Sequence, residues 1–171
     1  MHRHQLGVKG EYRVVHKRDG KVLHDKAGHN SLTTAGLDHM LNCMFNGATQ
    51  SGNWYLGLVA SDPTFDADDT MASHAGWTEF DDYSELTRQL WNCGDAEDNV
   101  ESRKVANDTA AEFTVDANGT ISGIFVTTVN TKGGATGTLW ATAQLDEELD
   151  VQIGDTIEVY YTVSIRDDNA D

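Results

Sequence analysis

One short segment contains side chains that could in principle catalyse hydrolysis. Ser73 and His74 are adjacent, and Glu79 and Asp81 follow shortly after, so the segment could supply a nucleophile, a base and a residue that orients the base. Any long polar loop contains such residues, however, and a triad is defined by geometry rather than by proximity in sequence. The sequence also lacks a G-x-S-x-G elbow, an H-E-x-x-H motif and a phosphate-binding glycine loop. We therefore predict a protein that is not an enzyme and needs no cofactor.

Two further groups have side chains that could bind a metal ion. Asp66, Asp68 and Asp69 cluster carboxylates, which calcium prefers, but the segment lacks the glycine and the distal glutamate of calcium-binding loops. A solvated acidic loop is therefore favoured over a metal site. Five histidines near the N-terminus could bind a metal or sense pH, but we expect them to face solvent or an interface. These are His2, His4, His16, His24 and His29.

The two cysteines, Cys43 and Cys93, do not have the spacing of a zinc site. We expect both to be buried thiols that behave as small apolar residues. A disulfide, within or between chains, is the less favoured alternative.

The charge of the chain is strongly negative but unevenly distributed. The formal net charge is −16, yet seven of the twelve Lys and Arg residues fall within residues 1–30. The acidic remainder keeps a folded protein soluble, and it disfavours nucleic-acid binding, which needs a net-basic footprint. The basic arm could instead orient toward an acidic partner surface. The residues predicted to dock are Arg3, Arg13, Lys17, Arg18 and Lys21.

A second group of candidate contact residues combines aromatic side chains with an arginine. Such residues are enriched at the centres of protein interfaces. Three roles remain open for them, namely ordinary core packing, contact between subunits and sugar binding by exposed rings. The predicted subunit-interface residues are Trp77, Phe80, Tyr83, Arg88 and Trp91.

The elements that must position these side chains begin with a hairpin and a helix. Residues 11–16 and 21–24 are rich in β-formers and flank an Asp19-Gly20 turn, which predicts a β-hairpin. Residues 33–46 are predicted to form a helix that Thr33 or Thr34 caps and Gly47 ends. Its apolar residues recur at helical spacing, so we expect one buried face. These residues are Leu37, Met40, Leu41, Met44 and Phe45.

The rest of the chain, residues 53–165, has the pattern of short strands separated by turns. Predicted strands cover 54–59, 86–91, 110–115, 120–128, 137–145 and 156–165, and a long loop covers 60–82. Several short strands, one helix and no βαβ alternation predict a mainly β fold. We expect residues 1–171 to form a single β-sandwich domain, jelly-roll or immunoglobulin-like, with an N-terminal hairpin and one short helix.

The sequence contains neither an apolar stretch of membrane-spanning length nor an apolar N-terminal segment of the secretory type. We therefore expect a soluble protein, without membrane or nucleic-acid partners, that is made in a cytoplasm.

Several segments, taken in order, resemble a family of small structural virion proteins of tailed bacteriophages. They are residues 53–59 (NWYLGLV), 69–79 (DTMASHAGWTE), 83–88 (YSELTR) and 131–139 (TKGGATGTL), and the stretch 10–37 is similar to the N-terminal hairpin and helix of the family. Members are described as structural, head-decoration or tail-fibre-like proteins. The resemblance implies a virion location and brings no catalytic residues with it.

Three functional hypotheses follow. The first is a capsid decoration, or cement, protein that binds the major capsid protein as a trimer, with the basic arm facing the shell and the 60–82 loop contacting a sister subunit. The second is a tail, collar or fibre component of the virion. The third is a host-glycan-binding module, which would require an exposed Trp77 or Trp91.

Overall fold

The computed structural model describes residues 6–99 and 102–167, and its elements are twelve strands and one helix. Of the residues singled out above, His2, Arg3 and His4 lie outside the described residues. The first elements are β1 (Leu6–Arg18), β2 (Lys21–His29), β3 (Ser31–Leu32), α1 (Thr34–Phe45), β4 (Tyr55–Ala60), β5 (Glu79–Phe80) and β6 (Gln89–Leu90). The remaining strands are β7 (Glu97–Asn99), β8 (Ser102–Ala106), β9 (Ala111–Thr114), β10 (Gly119–Thr127), β11 (Leu139–Val151) and β12 (Thr156–Asp167).

The strands form two antiparallel sheets. Sheet A has the order β2-β1-β12-β8-β7, and β9 also pairs with β12. Within it β1 and β12 pair along their whole length, from Leu6 opposite Asp167 to Lys17 opposite Thr156. Sheet B has the order β3-β11-β10-β4-β5, and β6 also pairs with β4.

One hydrophobic cluster fills the space between the two sheets. It joins side chains of β1, β9 and β12 in sheet A to side chains of β4, β10 and β11 in sheet B. Val14, Phe113 and Ile157 are examples from sheet A, and Leu58 and Ile124 are examples from sheet B. Two antiparallel sheets packed face to face form a β-sandwich, which confirms the predicted fold class.

A second, smaller cluster covers the opposite face of sheet B. Val59 and Phe125 neighbour Leu58 and Ile124 along their strands, and successive side chains of a strand point to opposite faces. The segment between β4 and β5 packs its Trp77 against them, with Met71 and Phe65 in the same cluster. The long 60–82 segment is therefore folded onto the sandwich.

The N-terminal hairpin forms where the sequence predicts it and is longer than predicted. Asp19 and Gly20 have φ values of 50° and 74°, which is the left-handed conformation that a two-residue hairpin turn requires. The hairpin also pairs with β12, so it is part of sheet A rather than a separate arm.

Some strand predictions were wrong. The predicted strand 86–91 is reduced to β6, because Arg88 and Trp91 are fixed by their own side-chain contacts and Leu86 is exposed. The β7–β8 pair was missed because its strands are short, polar and mostly exposed, so they lack the alternation that marks a half-buried strand. β11 extends to Val151, beyond the predicted end at residue 145.

Candidate docking surface

The first turn of helix α1 is fixed firmly on sheet B. The Thr33 side chain accepts a hydrogen bond from the Gly36 amide (3.0 Å), which is the predicted cap, and its hydroxyl donates to the Leu139 carbonyl. Gly36 lies directly on the backbone of Trp140, since a Cβ at this position would be 2.5 Å from the Trp140 carbonyl oxygen. Thr34 donates its amide to the Ala67 carbonyl (2.8 Å). The N-terminal end of the helix therefore has a defined position.

From Leu37 onward, α1 leaves most of its apolar side chains in solvent. Leu37, Leu41, Met44 and Phe45 are 36%, 51%, 65% and 78% exposed, and we call these four residues the α1 surface. Met40 is partly buried against the core, and Gly36 is the buried residue of the helix. The expectation of a buried apolar face was therefore wrong for four of its five residues. The helical period was predicted correctly. The apolar face of the helix stays largely exposed because the two sheets already close the sandwich core between them.

A pocket of about 320 Å³ opens beside the α1 surface, between the helix and residues of both sheets. His39 contacts Trp54 edge to face, with 5.6 Å between ring centroids, and Trp54 in turn contacts Trp140 at 6.0 Å. The indole N–H groups of Trp91 and Trp140 donate inward, to the carbonyl and the hydroxyl of Tyr161. The lining residues are His39, Met40, Cys43, Met44, Gln50, Trp54, Trp91, Val105, Trp140 and Val163.

From His39 onward, the helix and the segment that follows it are free of formal charge. Residues 39–61 contain no Asp, Glu, Lys or Arg, in a chain with 40 such residues. Residues 41–53 are exposed, apart from the half-buried Cys43 and Ser51. An exposed surface without charge is unusual for so acidic a protein, because charged side chains normally dominate the solvent-facing positions. This charge-free stretch is the sequence signal that could have identified the surface. His39, Trp54 and Trp140 were not among the predicted site residues.

The basic residues predicted to dock a partner are largely paired within the chain. Arg13 forms a bidentate ion pair with Asp25, with both N–O distances 2.7 Å, and Lys17 contacts Glu158. Lys21 is exposed at the turn. The hydrogen bond from Arg13 holds the pKa of the Asp25 carboxyl below its usual value. The arm therefore presents less free positive charge than its sequence indicates, and its docking role stays a prediction.

Asp155 fixes the tip of the hairpin to the β11–β12 connection. Its buried carboxylate accepts hydrogen bonds from Arg18 Nε (2.8 Å) and Nη2 (2.7 Å) and from the Gln152 amide (2.8 Å), and His16 Nε2 lies 2.7 Å away. The Arg18 hydrogen bonds hold the pKa of Asp155 far below its usual range. His16 and His24 are buried within the chain, so the expectation that the histidines face solvent or an interface was wrong for these two, whereas His29 is exposed.

The five predicted interface residues are all buried in the interior of the chain. Trp77 packs in the small cluster on sheet B, and Phe80, Tyr83 and Trp91 belong to the main core. Arg88 has no exposed side-chain surface. Core packing is thus the role that the described contacts document. Glycan binding would require an exposed Trp77 or Trp91, and neither side chain is exposed. Contact between the 60–82 segment and a second subunit stays a prediction.

Residues with catalytic or metal-binding potential are engaged in structural contacts. His74 stacks on Trp77, with 3.9 Å between centroids, and its Nδ1 lies 3.1 Å from the Trp77 carbonyl. Glu79, the candidate orienting residue, pairs instead with Arg88. Asp69 accepts from the Trp77 indole (3.0 Å), and Asp68 accepts from the Thr34 hydroxyl (2.8 Å). Within residues 6–99 and 102–167, no group of three or more His, Cys, Asp or Glu side chains is arranged to hold a metal ion.

Cys43 and Cys93 are free thiols, and the expectation that both are buried was wrong. Cys43 is half-buried at the edge of the pocket, and Cys93 is exposed. Among the described residues, no helix has the length and apolar character needed to span a membrane.

A family model described as Podophage GP4 fiber I protein gp80 matches residues 29–164. The match begins at the last residue of β2 and includes α1, the pocket and nearly all of β12. A search of curated proteins gives no match.

Proposed function

The chain belongs to the podophage fibre I protein family and is a structural protein of a phage virion, and from this premise we propose that it serves as a fibre component that binds other virion subunits. The family description supports the tail or fibre alternative of the sequence analysis better than capsid decoration. The fibre hypothesis is therefore preferred to the cement hypothesis.

The observation that carries the docking part of this proposal is the α1 surface. Its four large apolar side chains are exposed on a helix whose first turn is rigidly held by Thr33 and Gly36. Contiguous exposed apolar residues on a soluble protein commonly mark a protein–protein interface. A rigid support favours binding because little conformational freedom is lost when the partner docks.

We further propose that the protein acts without catalysis. The groups that could have formed a hydrolytic site are used to hold the fold, since His74 stacks on Trp77 and Glu79 neutralises Arg88. Removing Glu79 from that pair would leave a buried guanidinium without a counterion, so the carboxylate is not available for a second role. The corresponding test is incubation of the purified protein with host-cell polysaccharide, for which we expect no release of reducing sugar.

The test of the fibre proposal is the copy number of the protein in purified particles. Quantitative mass spectrometry against the major shell protein should give a low ratio, as expected for an appendage attached at few positions. A ratio close to that of the shell protein would instead support decoration of the capsid surface. Absence of the protein from intact particles would overturn the proposal.

A further inference from the structure

We propose that the α1 surface and the adjacent pocket form a contact between two copies of this chain, in which Phe45 of one copy enters the pocket of the other. This inference deepens the proposed fibre function and rests on it for its biological setting. The contact itself is a property of the purified protein and can be measured without virions.

The charge distribution favours a second copy as the occupant. Two chains with a formal net charge of −16 repel one another over most of their surfaces. Self-association therefore requires a surface from which like charges are absent, and the exposed residues 41–53 provide one. Asp38 is the single formal charge within α1. A basic partner, by contrast, would find few carboxylates here to pair with, although the rest of the chain offers many.

The shape of this region also suits self-association. Leu37, Leu41 and Phe45 recur every four residues and form one row along the helix, while Met40 and Met44 lie in the neighbouring row and line the pocket. A projecting ring and a recess are thus next to each other on one face. In a symmetric contact each copy presents the same patch, so the ring of each can enter the recess of the other.

The chemistry of the pocket favours an apolar side chain over a sugar. Trp91 and Trp140 direct their N–H groups inward to Tyr161, so these donors are not available to a ligand. The other lining residues are mainly apolar, with His39 and Gln50 as the polar exceptions. Sugar binding needs several convergent hydrogen-bonding groups, whereas an aromatic ring needs apolar surface and gains from edge contacts with other rings.

The direct test is molar mass in solution, measured by size-exclusion chromatography with light scattering over a range of concentrations. The wild-type protein should exceed the monomer mass of 18.7 kDa. Phe45→Asp should remove the inserted ring and weaken association by about 30-fold or more, the effect expected for a central interface residue. Leu86→Asp is the matched control, because Leu86 is a 93% exposed apolar residue outside the α1 surface, and it should associate like the wild type.

A second variant tests the pocket side of the contact. Gln50 is exposed and lines the pocket, so Gln50→Glu places a carboxylate at the pocket without disturbing the core, and it should also weaken association. Equal thermal unfolding profiles would exclude misfolding as the cause. A wild-type protein that stays at 18.7 kDa at all concentrations would overturn the proposal and indicate that a different virion subunit covers α1. Association that survives both substitutions would also overturn it. Neither result would alter the virion copy number, which tests the fibre proposal separately.

Discussion

Arg88 and Glu79 form a bidentate ion pair that is almost completely withdrawn from solvent. Arg88 Nε lies 2.9 Å from Glu79 Oε1, and Arg88 Nη2 lies 2.7 Å from Glu79 Oε2. The same guanidinium donates to the carbonyls of Val129 and Gly134, and it sits 5.1 Å from the centre of the Phe125 ring. One side chain thus joins β5 to the connection between β10 and β11.

Arg88→Ala should therefore destabilise the protein strongly. The substitution leaves two carbonyls without their donor and the Glu79 carboxylate without its counterion, with the Gly133 amide as a remaining donor (2.9 Å). Breaking a buried pair in this way costs about 3–5 kcal/mol. Urea unfolding should show the loss in the free energy of unfolding. Trypsin should also cleave faster after Lys132, because the 129–134 connection is no longer anchored to Arg88.

Arg103→Ala provides the comparison for an exposed ion pair. Arg103 pairs with Asp98 on the β7–β8 hairpin, where both side chains are mostly in solvent. Its removal should cost less than about 1 kcal/mol. If the two substitutions destabilise the protein equally, the structural role assigned to Arg88 is wrong.

Gly36→Ala should displace or destabilise helix α1. A Cβ at this position would be 2.5 Å from the Trp140 carbonyl oxygen, so either the helix or β11 must move, at a cost of about 1–3 kcal/mol. Gly52→Ala is the matched control, because a Cβ there would meet no atom within 4 Å. We expect a lower melting temperature for the first variant and little change for the second. Equal melting temperatures would contradict the close helix–sheet contact.

Asp155→Asn should change how stability depends on pH. The pKa of Asp155 is lowered from its ordinary value of 3.8, so the folded state favours the ionised carboxylate. The stability that the ionised Asp155 carboxylate contributes is complete well above pH 4, and it decreases as the pH falls below that value toward the lowered pKa. The variant should lose about 3 kcal/mol near neutral pH, and its unfolding free energy should fall less steeply on acidification.

Asp25→Asn is the control for that measurement. The Asp25 pKa is also lowered, first by its hydrogen bond to Arg13, but the pair is exposed and screened by solvent. We expect its pH profile to follow the wild type closely. If the unfolding free energy of Asp155→Asn falls more steeply on acidification than that of the wild type, the assignment of this pH dependence to Asp155 is wrong.

Lys21→Glu tests electrostatic docking by the N-terminal arm without breaking an ion pair among the described residues of the chain. Charge reversal at Arg13, Lys17 and Arg18 would remove ion pairs within the chain, and Arg18→Glu would place a carboxylate against the buried Asp155. Lys21 is exposed at the hairpin turn, so its reversal should leave the melting temperature unchanged. If the arm docks onto an acidic partner, incorporation of the variant into particles should fall, and the effect should shrink as salt is raised. Normal incorporation would remove Lys21 from the docking surface.

The sequence predicts the fold well where the pattern is local. Asp19-Gly20 fixes the hairpin, Thr33 and Gly47 mark the limits of α1, and alternation identifies β9 and β12. The prediction from sequence fails where contacts with distant residues determine the local structure. Arg88 was placed in a regular strand, whereas its side chain is held by Glu79 and by carbonyls more than forty residues away.

The candidate site was predicted less well, for two physical reasons. The periodicity of α1 indicates an apolar face, but it cannot say whether that face is covered by the same chain. Trp77 and Arg88 have the composition of an interface, but composition alone does not distinguish an interface from a core, because both bury large side chains. The absence of charge over residues 39–61 is the more specific signal, since the part of this stretch from residue 41 to residue 53 remains exposed.

The pairing of Leu6 with Asp167 has a mechanical consequence. Because β1 and β12 are antiparallel, the two ends of the described chain leave sheet A side by side. A force that pulls these ends apart would open the β1–β12 ladder one hydrogen-bonded pair at a time, which is the weak direction of a sheet. A force that enters through the sandwich faces or through α1 would load many pairs together. If the chain assembles into a fibre as proposed, we expect tension along the fibre to bypass the two ends and to pass through the body of the domain.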